Sequence, residues 1–210
     1  LEGIRNDVFG AEAIASAAHE FGVENFVLIS TDKAVRSTMV LGAIKRLAEL
    51  IVSDVGKQAA LDNGAKSKFP AVRFGNVLGS NGSADPLFRE RTAKGGPVTL
   101  TNCEMTRYVM FIHEAAELIM QAGALSDGGD IYLLEMGEPV HLRDLAENMI
   151  QLAGLQVRSP GHPAGDIEIE ITGIRHTQKP REDLFYEPVS ACGAQCPKIL
   201  RAKSGENNPH

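Results

Sequence analysis

The chain has 210 residues, with 21 Lys and Arg against 27 Asp and Glu, a formal net charge of −6. Apolar residues make up 43% and charged residues 23%, a soluble globular composition with enough length for a sizeable buried core. The acidic balance argues against nucleic-acid binding, which needs a basic face. No apolar run approaches the roughly eighteen residues of a membrane span, and no stretch has the build of a secretory leader. The three cysteines, Cys103, Cys192 and Cys196, are odd in number and sparse, so a reducing, cytoplasmic setting is expected. Cys192 and Cys196 lack a second Cys/His pair, so no metal site is expected.

Residues 11–21 read as a helix closed by Gly22, since glycine favours the left-handed cap conformation. Phe26 to Thr31 is a nearly continuous apolar run, which predicts a strand buried on both faces of a parallel sheet. A polar loop from Asp32 to Thr38 follows. A second helix is predicted over residues 42–60, with Ile44, Leu47, Ala48, Ile51 and Val55 on one apolar stripe. Ala71 to Gly75 is the next strand. Helix, strand, helix, strand with short connections is the rhythm of a doubly wound α/β sheet.

Beyond Asn76 the texture changes. Gly79 to Ser83 is turn-rich, and a helix is predicted over 86–94. Two more helices are predicted over 113–125 and 142–153, with the strand Ile131–Leu134 between them. Pro160 to Gly165 is a loop. Ile167 to Ile171 alternates strictly, which predicts a strand with one wet face.

The chemistry concentrates at Ser30, Thr31, Asp32 and Lys33, followed by Lys45. A strand ends in a hydroxyl, a carboxylate and an ammonium in succession. Open α/β sheets place their ligands at such strand ends. Lys45 is predicted in the first turn of its helix, where the macrodipole disfavours a cation. That placement calls for a ligand or a negative partner. The plain alternative is a solvated Asp32–Lys33 pair with Lys45 extended to water.

These segments resemble the nucleotide-sugar 4,6-dehydratases of bacterial polysaccharide biosynthesis, within the extended short-chain dehydrogenase/reductase superfamily. The family's Ser-Thr-Asp-Lys-Ala run reads Ser30 to Ala34 here. Its Tyr-or-Met-Gly-x-x-Lys helix start reads Leu41 to Lys45. Its Arg-Phe-Gly-Asn-Val-x-Gly-Ser-x-Gly-Ser run reads Arg73 to Ser83. Thr106 to Tyr108, Met136 to Pro139 and Pro197 to Leu200 match in order, so the resemblance covers about residues 2–202.

The resemblance implies a fold and a division of the chain. The fold class is α/β: the C-terminal half of a Rossmann-type doubly wound parallel sheet, plus a smaller mixed α/β substrate-binding region. Residues 1–77 would be the dinucleotide-binding part and 78–203 the substrate region with elements returning to the sheet. Residues 204–210 would be a disordered tail.

It also implies an activity, the NAD(P)-dependent dehydration of a UDP-N-acetylhexosamine, UDP-N-acetylglucosamine foremost, to a 4-keto-6-deoxy sugar. Thr31 would hold the carbon-4 oxygen, Asp32 would protonate the departing carbon-6 hydroxyl, and uncharged Lys33 would take the carbon-5 proton. Lys45 would serve both the reaction and the cofactor. Ser30, Phe74, Asn76 and Val77 would line the NAD or NADP, with Asn76 also reaching the sugar diphosphate. Arg107, Arg175 and Gln178 would bind the nucleotide, guanidinium matching phosphate in a bidentate fork. A homo-oligomer through the 42–60 helix is implied, with no membrane contact from this segment, although the family's longer members can be membrane-anchored.

Three departures stand out. No Gly-x-x-Gly-x-x-Gly turn is present, so the half of the Rossmann domain that contacts the pyrophosphate is expected outside these residues. Leu41 stands where the superfamily has tyrosine and one branch of dehydratases has methionine. Gln178 replaces a ribose-contacting glutamate, and Pro180 lacks a backbone donor. Two other readings therefore stand beside the dehydratase: an epimerase of the same superfamily, and a non-catalytic module that binds a nucleotide sugar or a partner. An epimerase has no use for an acid at carbon 6.

Overall fold

The structure, a computed structural model, describes residues 1–35, 39–63, 67–80, 83–173, 191–193 and 196–202. The predicted polar loop to Thr38 lies partly, and the 204–210 tail wholly, outside them. The chain opens with a π-helical turn, Ile4–Phe9, that runs into α1 (Gly10–Glu20). There follow β1 (Leu28–Ile29), a 3-10 turn (Asp32–Ala34), α2 (Val40–Asn63) and β2 (Ala71–Arg73). Next come β3 (Asn76–Val77), α3 (Ala84–Ala93), β4 (Val98–Leu100), β5 (Thr106–Arg107), β6 (Val109–Met110) and α4 (Ile112–Leu125). The remainder is β7 (Ile131–Leu134), β8 (Val140–His141), α5 (Leu142–Leu152), β9 (Val157–Arg158), β10 (Ile167–Ile171), β11 (Ala191–Gly193) and β12 (Ile199–Ala202). No helix among the described residues is long and apolar enough to cross a membrane.

Two units divide these elements. The first comprises residues 1–75, 113–136 and 183–210. Its sheet has the order β1-β2-β7-β12-β11. β1, β2 and β7 run parallel, while β12 is antiparallel to both β7 and β11. All four residues of β7 are buried, as a strand covered on both faces requires.

The expected strand over 26–31 is only two residues by strict pairing, yet its ladder is longer. The amides of Phe26, Leu28, Ser30 and Asp32 donate in turn to the carbonyls of Lys68, Pro70, Val72 and Phe74 at 2.8–3.1 Å. Side chains alternate along it. Phe26 and Leu28 pack with Ala15, Ala18, Val52 and Phe69 beneath α1 and α2, and the Phe26 and Phe69 rings stack at 5.4 Å. On the other face, Val27 reaches Gly123 of α4, but Ile29 is 57% exposed. Within residues 1–210, burial on that face therefore stops at Val27, which α4 covers, and Ile29 lies beyond it.

α1 stops where Gly22 takes φ +64°, with Val23 N–H donating to the Ala18 carbonyl at 2.8 Å, a glycine-terminated helix end. α2 buries the predicted stripe only in part: Ala48 is buried and Val55 packs against the core, while Ile44 and Ile51 are half-buried. Its inward residues are Gly42, Ala48, Glu49, Val52, Ser53, Gly56 and Ala59, whereas Leu47 is exposed. Small residues let the helix axis approach the sheet. A Cβ built on Gly56 would stand 2.9 Å from the Phe69 Cβ.

The second unit comprises residues 76–112 and 137–182. A three-stranded parallel sheet, β4-β10-β9, packs with Phe88 of α3 and Ala146 and Ile150 of α5 around Val98, Leu100 and Ile167. In β10 both glutamates are exposed and Ile167 is buried, as the alternation predicts, but Ile171 at its end is half exposed. Two small ladders, β3 with β6 and β5 with β8, complete this unit.

Candidate functional site

The end of β1 carries the site of the first unit. Side-chain alternation sends Ser30 to the helix-covered face with Phe26 and Leu28. Thr31 has extended backbone and caps the 3-10 turn, its Oγ1 accepting from Lys33 N–H at 3.4 Å. That turn reverses the chain at the mouth of the sheet and sets three side chains together. Thr31 Oγ1 donates to Asp32 Oδ1 at 2.8 Å, and Lys33 Nζ donates to the same oxygen at 3.0 Å.

Asp32 is 1% exposed, and its Oδ2 accepts no hydrogen bond among the described residues. The Lys33 side chain is 25% exposed. A buried carboxylate with one oxygen bonded twice and the other bare is an unfinished hydrogen-bond set. It can be completed by a ligand hydroxyl.

Behind this turn lies a second carboxylate that the sequence reading missed. Glu49 of α2 is fully buried. Its Oε1 accepts from Ser30 Oγ at 2.6 Å and from Arg73 Nε at 2.7 Å. Its Oε2 accepts from Arg73 Nη2 at 2.7 Å and Arg46 Nη1 at 3.0 Å. Burial pushes the Glu49 carboxyl up, but the bonds and charge of Arg73, with Ser30 and Arg46 behind it, outweigh that and hold it below the ordinary value. The Ser30 hydroxyl thus donates into the protein, not outward.

Lys45 lies in the second turn of α2, not the first, because the helix begins at Val40. Its negative partner is Asp7 of the π-helical turn, with Nζ and Oδ1 at 2.7 Å. Both side chains are partly exposed, and Asp7 takes one of the three ammonium donors. Phe74 contributes the carbonyl that receives the Asp32 N–H.

The remaining expected residues belong to the second unit or lie outside the described residues. Asn76 and Val77 form β3 of the second unit, with Asn76 N–H donating to the Tyr108 carbonyl at 2.9 Å. Arg107, half-buried in β5, turns its Nη1 to the Thr106 carbonyl at 2.7 Å. Arg175 and Gln178 lie outside the described residues. The structure therefore brings Thr31, Asp32 and Lys33 into one cluster. Ser30 is joined to Glu49, and Lys45 to Asp7. The available signal for Glu49 was a charged residue on the small-residue face of α2, with Arg46 three positions before it.

A largely parallel sheet with a hydroxyl, a carboxylate and an ammonium at the carboxyl end of a strand is the arrangement of a Rossmann-like α/β protein. Residues 1–204 match the family model described as polysaccharide biosynthesis protein, and the chain belongs to that family. It is 48% identical, over 97% of its length, to the probable polysaccharide biosynthesis protein EpsC of Bacillus subtilis, and covers 32% of it. It is also 48% identical, over 88% of its length, to the capsular polysaccharide biosynthesis protein CapD of Staphylococcus aureus, and covers 29% of it. The chain thus spans about a third of these relatives. The X-ray structure of Pen from Bacillus thuringiensis superposes with a TM-score of 0.79 at 29% identity, covering 94% of this chain and 58% of that one.

Proposed function

We propose that this chain carries the catalytic turn of a nucleotide-sugar 4,6-dehydratase that converts UDP-N-acetylglucosamine to its 4-keto-6-deoxy product. The observation that carries the reading is Asp32, buried, with Oδ1 held by Thr31 and Lys33 and Oδ2 without a partner among the described residues. A general acid needs one oxygen fixed and the other aimed at its substrate. An epimerase, which loses no water, has no work for that oxygen.

NAD or NADP, when bound, would supply the acceptor for the carbon-4 hydride and the source of the hydride for carbon 6. The donor set fits this group at Lys45, whose partly exposed ammonium has donors beyond the Asp7 bond suited to ribose hydroxyls. Thr31 orients the carbon-4 oxygen, and the Asp32 carboxylate takes the proton of that hydroxyl as the hydride leaves, which gives it the proton it later passes to the carbon-6 hydroxyl. Once that carbon is a ketone, the carbon-5 proton is acidic and passes to uncharged Lys33. The carbon-5 to carbon-6 double bond forms as the carbon-6 hydroxyl leaves with a proton from Asp32, as water. Lys33 then returns the proton to carbon 5.

Phe74, Asn76 and Val77 would line the reacting groups, and Arg107, Arg175 and Gln178 would hold the nucleotide. Residues 1–77 would serve the dinucleotide and 78–203 the sugar nucleotide, with a glycine-rich turn supplied from outside residues 1–210.

The test is conversion of UDP-N-acetylglucosamine in heavy water by the natural full-length polypeptide. Asp32→Asn keeps shape and hydrogen bonding but removes the proton, so dehydration should fall roughly a hundredfold to ten-thousandfold. Dehydration near the parent rate would remove Asp32 from the acid role. Oxidation of the sugar by the parent without loss of water would replace the dehydratase with the epimerase.

A further inference from the structure

We infer that Glu49 is a positioning residue of this site, tying the segment that bears Thr31, Asp32 and Lys33 to both α2 and β2. Its functional consequence rests on the dehydratase reading; its geometry does not. Three elements converge on one carboxylate: Ser30 from the end of β1, Arg46 from α2 and Arg73 from β2. Ser30 is the residue immediately before the catalytic turn. Its backbone N–H is bonded to Val72, one residue before Arg73. The segment is thus fixed through main chain and side chain on the same two residues of β2.

A buried ion pair adds little net stability over an apolar pair of equal volume. What the charged version adds is direction, because bonds of 2.6–2.7 Å from different elements are all satisfied in one arrangement. Arg46 is the neighbour of Lys45, so the same carboxylate also sets the turn of α2 that presents the ammonium. Glu49 itself has both oxygens occupied and touches neither Asp32 nor Lys33, so its action is indirect.

The test separates positioning from bulk stability. Glu49→Leu combined with Arg73→Met replaces the pair by apolar side chains and should fold with a Tm within a few degrees of the parent. Acylation of lysines by an amine-reactive ester, read by mass spectrometry without substrate, then reports the site. Lys94, with its side chain 70% exposed, is the internal reference. In the folded double variant the Lys33-to-Lys94 rate ratio should rise at least about fivefold as the turn loosens. With the full-length enzyme, kcat should fall more than tenfold while KM changes less than twofold.

An unchanged lysine ratio in the folded variant would overturn the proposal, as would an unchanged kcat. If the double variant does not fold, Ser30→Ala removes one donor alone. A ratio raised about twofold then supports the proposal, and an unchanged ratio overturns it. A parent that turns over no sugar nucleotide defeats the dehydratase reading only, since the acylation comparison still decides the role of Glu49.

Discussion

Two buried carboxylates stand near one strand end, and their hydrogen bonding assigns them different work. Among the described residues, Glu49 has four donor contacts on its two oxygens, whereas Asp32 has both of its donors on Oδ1 and none on Oδ2. A satisfied buried ion fixes structure; a half-satisfied one leaves an acceptor that a partner can complete. The difference also sets a pH dependence. The Glu49 carboxyl is held below its ordinary value of 4.5, with burial opposing and Arg73 prevailing. A depressed carboxyl contributes stability that is complete above its unfolded value and is lost as pH falls through the folded one. Glu49→Gln resembles the protonated form and leaves Arg73 without its counter-charge, a loss of about 3–5 kcal/mol, or roughly 6–20 °C in Tm for a chain of this size. The Tm gap between parent and Glu49→Gln should be constant above about pH 5 and narrow toward pH 3. A gap that persists unchanged to acid pH would show that Glu49 is not the titrating partner.

At the scale of elements, α2 shows where periodicity informs and where it misleads. The rule that apolar stripes face inward named the helix and caught Ala48 and Val55, but it centred the inward face too near Leu47, which faces solvent while Gly42, Gly56 and Ala59 are buried. Close approach, not side-chain volume, decides that orientation. Gly56→Ala should therefore cost about 1–3 kcal/mol by overpacking, since the new Cβ would meet Phe69 Cβ at 2.9 Å. Thermal unfolding checks it, and a Tm equal to the parent's would mean the helix shifts freely. α1, α4, α5, β2 and β7 were legible because apolar spacing and glycine stops are local signals. The π-helical turn over Ile4–Phe9 has no such signature, as its wider hydrogen-bonded loop is dictated by packing rather than by residue type. Thr31, Asp32 and Lys33 were legible because they are consecutive. The partners Asp7 and Glu49 were not, because their contacts reach 38 residues to Lys45 and 24 residues to Arg73.

At the scale of the whole chain, the proposed catalytic turn stands in a sequence that has no glycine-rich phosphate-binding run. A pyrophosphate needs oriented amides from a glycine turn at a helix N-terminus. Residues 1–210 contain no Gly-x-x-Gly-x-x-Gly run. The turn ahead of α3 carries a carboxylate: Asp85 Oδ2 accepts from Gly79 N–H and Asp85 Oδ1 from Ser83 Oγ, each at 2.5 Å. Its like charge would repel an incoming phosphate. Lys45 alone, already paired to Asp7, offers one ammonium for a ribose, too little to hold a dinucleotide through dilution. The 210-residue polypeptide, purified by itself, should therefore release far less than one equivalent of NAD or NADP on denaturation, read by enzymatic cycling of the supernatant. The natural full-length polypeptide should release close to one. Stoichiometric dinucleotide from residues 1–210 would mean that this chain builds a phosphate cradle without the glycine turn, and that Asp85 gives way to it.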